Sequence, residues 1–171
     1  GLPSVQILSA LEAKEVAGKD VTRGDLVSPV YLLRMYFKTL LFVQMFIAAI
    51  EKGEFKSLNS LQRIVHEYID ALIESEETLL KLFNIHYSKD YLLTHATNTM
   101  ILSMVLGKEL GFSRTQLSDL GTSALLHDIG KIQIPREILE KKAKLSTYEW
   151  NQLKKSNTYS VLQLLRLRGF N

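Results

Sequence analysis

Residues 125–135, of sequence LLHDIGKIQIP, place a histidine beside an aspartate at the end of a helical pattern. Asp128 belongs to a set of residues that share one helical face, because they are spaced three or four positions apart. The set is Leu117, Leu120, Gly121, Ala124, Leu125 and Asp128. A core-facing carboxylate is costly without a partner. The pattern therefore predicts either that His127 and Asp128 bind a metal, or that they form a pair that caps a core helix.

His95 is the other histidine that the pattern turns inward. A lone inward histidine is more often a satisfied core residue than a ligand, but a second inward pair follows one helix later. The face that carries it comprises Leu92, His95, Thr99, Leu102 and Leu106. Imidazole and carboxylate suit iron, manganese or zinc, and the absence of cysteine excludes a thiolate site. We therefore expect His95, His127 and Asp128 to converge on a divalent metal ion where two helices meet.

Lys131 follows Asp128 by three residues and would place a positive charge near such a centre. A metal ion lowers the pKa of bound water, and a phosphate ester is a natural target for the hydroxide that results. Lys131 would then offset charge on the phosphate oxygens, although a solvated loop lysine is an equal alternative. We interpret His66 as a surface residue on a polar helical face, and His86 as a loop residue without a chemical role.

The composition of the chain argues against several other classes of protein, namely nucleic-acid-binding, secreted and membrane-spanning proteins. The chain has 171 residues, 46% of them hydrophobic, and a net charge of +3, which fits one globular domain. No basic stripe interleaved with aromatic residues is present, so a nucleic-acid polymer is not the expected partner. No secretory signal is visible, and the apolar run 39–50 is shorter than the roughly 20 residues of a membrane span. We expect a cytoplasmic domain, whose longer parent could carry membrane or sensor segments.

The elements that must position these residues are all helical, which predicts an all-α bundle. Residues 1–27 are interpreted as a linker or peripheral segment, and 28–171 as the domain. Capping boxes at Ser113 with Gln116, and at Ser146 with Glu149, mark two helix starts. The first helix is apolar on all sides and should be covered on most of them; its residues 30–50 are a candidate interface with a second copy or a regulatory domain. The predicted helices span 30–52, 58–83, 90–110, 113–130, 135–142 and 146–165.

Three segments together resemble the HD-GYP family of bacterial signalling phosphodiesterases, within the HD metal-dependent phosphohydrolase superfamily. They are residues 90–95 (DYLLTH), 125–135 and 145–150 (LSTYEW). The resemblance implies a helical bundle of the HD-domain type, a centre of two or three metal ions (often iron or manganese), and hydrolysis of cyclic di-GMP or a related cyclic dinucleotide. It also implies that His95, His127 and Asp128 are metal ligands, that Asp128 bridges ions in a catalytic role, and that Lys131 contacts the substrate phosphate.

The chain departs from the family pattern in its last third. Ser156 stands where the family has a further ligand histidine, and no histidine or aspartate follows Asp128. The family's paired histidines, its G-Y-P loop and its final aspartate therefore have no counterpart here. Two expectations follow: a piece of a phosphodiesterase that is incomplete or inactive as it stands, or a degenerate signalling and binding module without hydrolase activity. A different HD hydrolase such as a nucleotidase is disfavoured by I-x-I-P and residues 145–150.

Overall fold

The computed structural model describes residues 28–52, 54, 58–84 and 91–165, and within these ranges it contains helices and turns but no strand. The all-α prediction is confirmed. The predicted linker 1–27 and His86 lie outside the described residues. The α-helices are α1 (Pro29–Glu51), α2 (Asn59–Glu74), α3 (Glu76–Leu80), α4 (Tyr91–Glu109), α5 (Arg114–Leu126), α6 (Arg136–Leu139), α7 (Thr147–Lys154) and α8 (Ser156–Leu164).

Helices α1, α2, α4 and α5 surround the apolar core. Its largest fully buried side chains include Leu32, Leu61, Ile69, Leu72, Met100, Ile101 and Met104. Two buried tyrosines carry polar atoms into this core and find partners there: Tyr36 donates to Asn98 Oδ1 at 2.9 Å, and the Tyr68 and Thr39 hydroxyls lie 3.1 Å apart. Because these polar groups are paired, the core accepts them without a large desolvation cost.

Helix α1 is as long as predicted, but its apolar stretch extends beyond the run 39–50 that the sequence suggested. It is 23 residues long, and its most apolar 18-residue window has a mean hydropathy of 1.5, so by length and composition alone it could cross a membrane. The same criterion is met by core helices of water-soluble proteins, and 44% of that window is buried against the other helices. Most residues of α1 are buried or partly buried, as expected, but Leu41 and Met45 are 52% and 72% exposed.

Helices α4 and α5 form a tight antiparallel hairpin. Gly111 ends α4 with a positive φ of 77°, and the Gly111 and Phe112 amides bond back to the carbonyls of Lys108 and Gly107. Gly107 also allows close packing, since a Cβ there would lie 2.9 Å from a Leu120 methyl. The helices therefore run side by side, and residues equally distant from the turn meet at the far end.

Several helix ends fall where the pattern did not place them. The helix predicted over 58–83 breaks at Ser75, whose extended backbone (φ −160°, ψ 98°) lets its side chain cap α3. The helix predicted over 146–165 is divided at Lys155, and α5 ends at Leu126 instead of near 130. The helix predicted over 135–142 is only the four residues of α6. The capping boxes at Ser113 and Ser146 are both confirmed.

Candidate metal centre

The candidate centre lies at the turn that follows α5. His127 is the C-cap of that helix, Asp128 comes next, and a 3-10 turn covers Ile129–Gln133. Ile129 and Gly130 are buried. The turn is therefore anchored in the core, and the Asp128 side chain is only 13% exposed.

The hairpin brings His95 to the same place. Gly111 lies 16 residues after His95 and 16 residues before His127, so the two imidazoles meet at the open end of the α4–α5 hairpin. Asp128 Oδ2 is 3.1 Å from His127 Nε2 and 3.5 Å from His95 Nε2. One ligand atom from each of the three side chains lies within 4.8 Å of the others. The structure thus places the three predicted ligands together.

The helical face used to predict the direction of His95 was wrong in part. Leu102 and Leu106, assigned to the same inward face, are exposed. The buried face of α4 is Leu93, Ala96, Thr97, Met100, Ile101, Met104 and Gly107. His95 lies at the border of that face and is 34% exposed, since α5 and its turn cover only this end of the border. Solvent can therefore reach the centre.

A backbone contact orients the His127 ring. Its Nδ1 lies 2.7 Å from the carbonyl oxygen of Ala124, which can only accept a hydrogen bond. Nδ1 must therefore carry a proton, so Nε2, the atom that faces Asp128, is the nitrogen that would bind a metal ion. A histidine held by a second hydrogen bond in this way is typical of metal ligands.

His95 is held between two rings. Tyr91 stacks on it with centroids 5.5 Å apart and planes 9° from parallel, and His127 meets it edge-on at 5.3 Å. Burial lowers the pKa of His95, and although Asp128 raises that pKa, His127 and Lys131 lower it further. The imidazole is therefore neutral near pH 7, which is the form that binds a metal.

Lys131 is the fourth ionisable side chain at this place, after His95, His127 and Asp128. Its Nζ lies 2.5 Å from Asp128 Oδ2, and its side chain is 27% exposed. It is therefore not a freely solvated loop lysine. Its ammonium group already neutralises part of the aspartate charge and lies beside the three ligand atoms.

The donor set fits a divalent ion. Two imidazole nitrogens and one carboxylate oxygen are borderline-hard ligands, suited to iron, manganese or zinc, and partial exposure leaves room for water or substrate. Ser156 supplies no comparable ligand, because a hydroxyl is a poor substitute for imidazole. It is buried where α8 packs on the turn, close to Gly130.

Sequence reasoning missed Ser160 and misjudged His66. The Ser160 hydroxyl bonds to the backbone at both Gly130 and His127, and no local signal indicates a contact over 30 residues of chain. His66 was interpreted as a surface residue, but it is half-buried with Nε2 3.5 Å from Ser118 Oγ. The polar side of α2 faces α5 there, which the helical pattern of α2 alone does not reveal.

Comparison with known proteins agrees with this architecture. The model of the HD domain family matches residues 57–164. Three relatives are a cyclic di-GMP phosphodiesterase of Borreliella burgdorferi, PdeB (40% identical over 77 residues), a cyclic di-GMP phosphodiesterase of Pseudomonas aeruginosa, PA4108 (28% over 105), and 3'3'-cGAMP-specific phosphodiesterase 3 of Vibrio cholerae (30% over 80).

The matched regions cover 44%, 61% and 47% of this chain but only 20%, 25% and 17% of the respective relatives. The chain thus spans at most a quarter of the length of the relatives it matches. No solved structure matches it.

Proposed function

This chain belongs to the HD domain family, and from that premise we propose that it is the HD-GYP-like part of a cyclic dinucleotide phosphodiesterase. The observation that carries the proposal is the convergence of His95, His127 and Asp128 at one end of the α4–α5 hairpin. Its relatives that act on cyclic di-GMP and on 3'3'-cGAMP support the substrate class.

Each residue of the candidate centre has a distinct role in the proposed reaction. His95, His127 and Asp128 would hold a divalent ion, which we propose to be iron or manganese, and when bound it would act as a Lewis acid that lowers the pKa of a water ligand. His95 and His127 both direct Nε2 toward Asp128 Oδ2, and Asp128 supplies the negative charge. Lys131 holds its ammonium group beside the same carboxylate, where it can pair with a phosphate oxygen of the substrate.

Tyr91 provides a surface for a nucleobase. One face of its ring stacks on His95, and the side chain is 77% exposed, so its other face is open to solvent. Aromatic side chains bind bases by stacking with little dependence on base identity. We therefore propose that a base of the dinucleotide stacks on Tyr91 while its phosphate lies at Lys131.

The direct test is hydrolysis of cyclic di-GMP and 3'3'-cGAMP by the purified chain, with manganese or iron(II) added and linear products separated by chromatography. Lys131→Met should reduce turnover at least tenfold while binding manganese no more weakly, because it removes a positive charge beside the ion. Lys144→Met, which removes an exposed lysine from the loop before α7, is the matched control. Stoichiometric manganese with no hydrolysis of either dinucleotide would reject the enzyme proposal for this chain.

A second candidate function is a signalling module without hydrolase activity, and Ser156 is the observation that favours it. A buried serine replaces a ligand histidine of the resembling family, so the described residues offer three ligands at this place. Such a module would bind the cyclic dinucleotide or a partner without turning it over. Calorimetry that detects cyclic di-GMP binding, in a protein that retains no metal and releases no product, would support this function.

We propose that helix α1 forms the interface with a second copy of the chain in a dimer. Leu41 and Met45 are exposed one turn apart on the surface of the predicted interface helix. Replacing both with lysine should shift a dimer to monomer in light scattering. If the wild-type protein is monomeric at high concentration, the dimer proposal fails, and a regulatory domain is then the candidate partner for this face.

A further inference from the structure

Ser160 connects α8 to the turn that carries two of the candidate ligands. Its hydroxyl accepts a hydrogen bond from the Gly130 amide at 2.8 Å and donates one to the His127 carbonyl at 3.1 Å. The His127 carbonyl lies at the C-terminal end of α5, where the helix leaves its last carbonyls without partners, and the Gly130 amide belongs to the turn that follows. One buried side chain thus closes the turn on both sides of Asp128.

Gly130 makes this contact possible. A Cβ built on Gly130 would lie 2.0 Å from the Ser156 carbonyl oxygen and 2.3 Å from the Ser160 amide nitrogen. Both are backbone atoms of α8, which cannot move without shifting the whole helix. The absent side chain therefore lets α8 approach closely enough for a short serine side chain to reach the turn.

We propose that Ser160 is a positioning residue, which sets the geometry of His127 and Asp128 for metal binding. The inference extends the proposed function, on which its metal-binding part rests. Because the Ser160 hydroxyl accepts and donates at the same time, it restricts rotation of the peptide groups on either side of Asp128. Helix α8 thereby contributes to the centre through the backbone, although its Ser156 offers no imidazole.

Three measurements on Ser160→Ala test this. In the metal-free protein, the Gly130 amide should exchange its hydrogen at least tenfold faster, because it loses its acceptor. In calorimetry, manganese should bind about tenfold more weakly, a change of about 1.4 kcal/mol. The visible spectrum of bound cobalt(II) should also change, since it reports ligand geometry.

The matched control is Ser75→Ala, which removes the side-chain cap of α3, far from the turn in sequence. It should lower the urea midpoint while leaving the Gly130 exchange rate and manganese affinity within twofold of wild type. Ser160→Cys keeps the side-chain volume with a weaker donor and acceptor. It should change exchange and affinity in the same direction, and it replaces the alanine variant if that protein does not fold.

The outcomes separate the two proposals. If Ser160→Ala leaves both Gly130 exchange and manganese affinity within twofold of wild type, Ser160 is not a positioning residue. Faster exchange with unchanged manganese affinity would also overturn the proposal, because the turn would be loosened without consequence for the ligands. If wild type binds no manganese, the proposed function fails, and the exchange rate alone decides whether Ser160 holds the turn.

Discussion

The two ends of α5 are held in different ways. At the N-terminal end, Ser113 Oγ accepts from the Gln116 amide at 3.3 Å, and Gln116 Oε1 accepts from the Ser113 amide at 2.8 Å. At the other end, Ser160 supplies the hydrogen bonds from 30 and 33 residues further along the chain. The first end is capped by its own sequence, whereas the second depends on the packing of α8.

The candidate chemistry lies at the end that depends on packing. The C-terminal end of a helix carries partial negative charge, which favours a cation and disfavours a lone carboxylate. Asp128 stands one residue beyond that end, with Lys131 and two imidazoles around it. A local cap therefore starts the helix, whereas a distant contact shapes the turn where a positive ion is needed.

Asp128→Asn should have the largest effect, because it removes the negative charge at the atom on which both imidazoles and Lys131 converge. We expect manganese affinity to fall at least a hundredfold in calorimetry and hydrolysis to be lost. Asp119→Asn, on the exposed side of the same helix, is the control and should bind normally. If Asp128→Asn binds manganese as tightly as wild type, the metal does not bind at the C-terminal end of α5.

Gly130→Ala should destabilise the protein by about 3 kcal/mol, since its Cβ would overlap backbone atoms of α8. Urea unfolding measures this change. Gly111→Ala is the comparison, because nothing lies within 4 Å of its Cβ and only the positive φ of 77° is strained. It should cost about 1 kcal/mol. Equal costs would mean that close approach of α8 is not what makes Gly130 necessary.

Ser113→Ala should cost about 1 kcal/mol, the usual value for a lost N-cap. Manganese affinity should not change, because the cap lies at the opposite end of α5 from Asp128. Urea unfolding and calorimetry on the same sample check both statements. Manganese binding that is weakened as much as expected for Ser160→Ala would show instead that the two ends of α5 are coupled.

The smallest expected effect concerns the other local cap, at Ser146. The Lys141 ammonium, together with the Ser146 backbone and hydroxyl, lowers the pKa of Glu149 to about 2. The unfolded chain binds the proton at a higher pH, near 4.5, so this contribution to stability is complete above that pH and is lost as pH falls toward 2.

Glu149→Gln keeps the capping geometry without the charge. Its urea midpoint should therefore fall less between pH 6 and pH 3 than the wild-type midpoint does. Parallel pH profiles for the two proteins would mean that Glu149 contributes no charge-dependent stability.

Features that depend on neighbouring residues could be predicted from sequence. The starts of α5 and α7 follow from capping residues three positions apart, and the end of α4 follows from Gly111. The approach of His95 to His127 follows from a tight turn midway between them. These features depend on hydrogen bonds and spacings within one or two helices, so the local sequence is enough to predict them.

Features that depend on distant packing could not be predicted. The position of neighbouring helices determines three features that the sequence did not predict. These are the break at Ser75, the exposure of Leu102 and Leu106, and the partial burial of His66. Apolar periodicity marks a helix face without saying whether a neighbour covers it. Leucines on an exposed stretch therefore look the same in sequence as leucines in a core.

The helical class, the local caps and the candidate ligands His95, His127 and Asp128 could all be identified from the order of the residues. The meeting of Asp128 Oδ2 with both imidazoles and Lys131, and the hydrogen bonds by which Ser160 closes the turn, became visible only in the folded protein. The two groups of features differ in how far along the chain the interactions that produce them act. Helix propensity and capping act over three or four residues, whereas the geometry of the centre requires α8 to dock on Gly130 from 30 residues away.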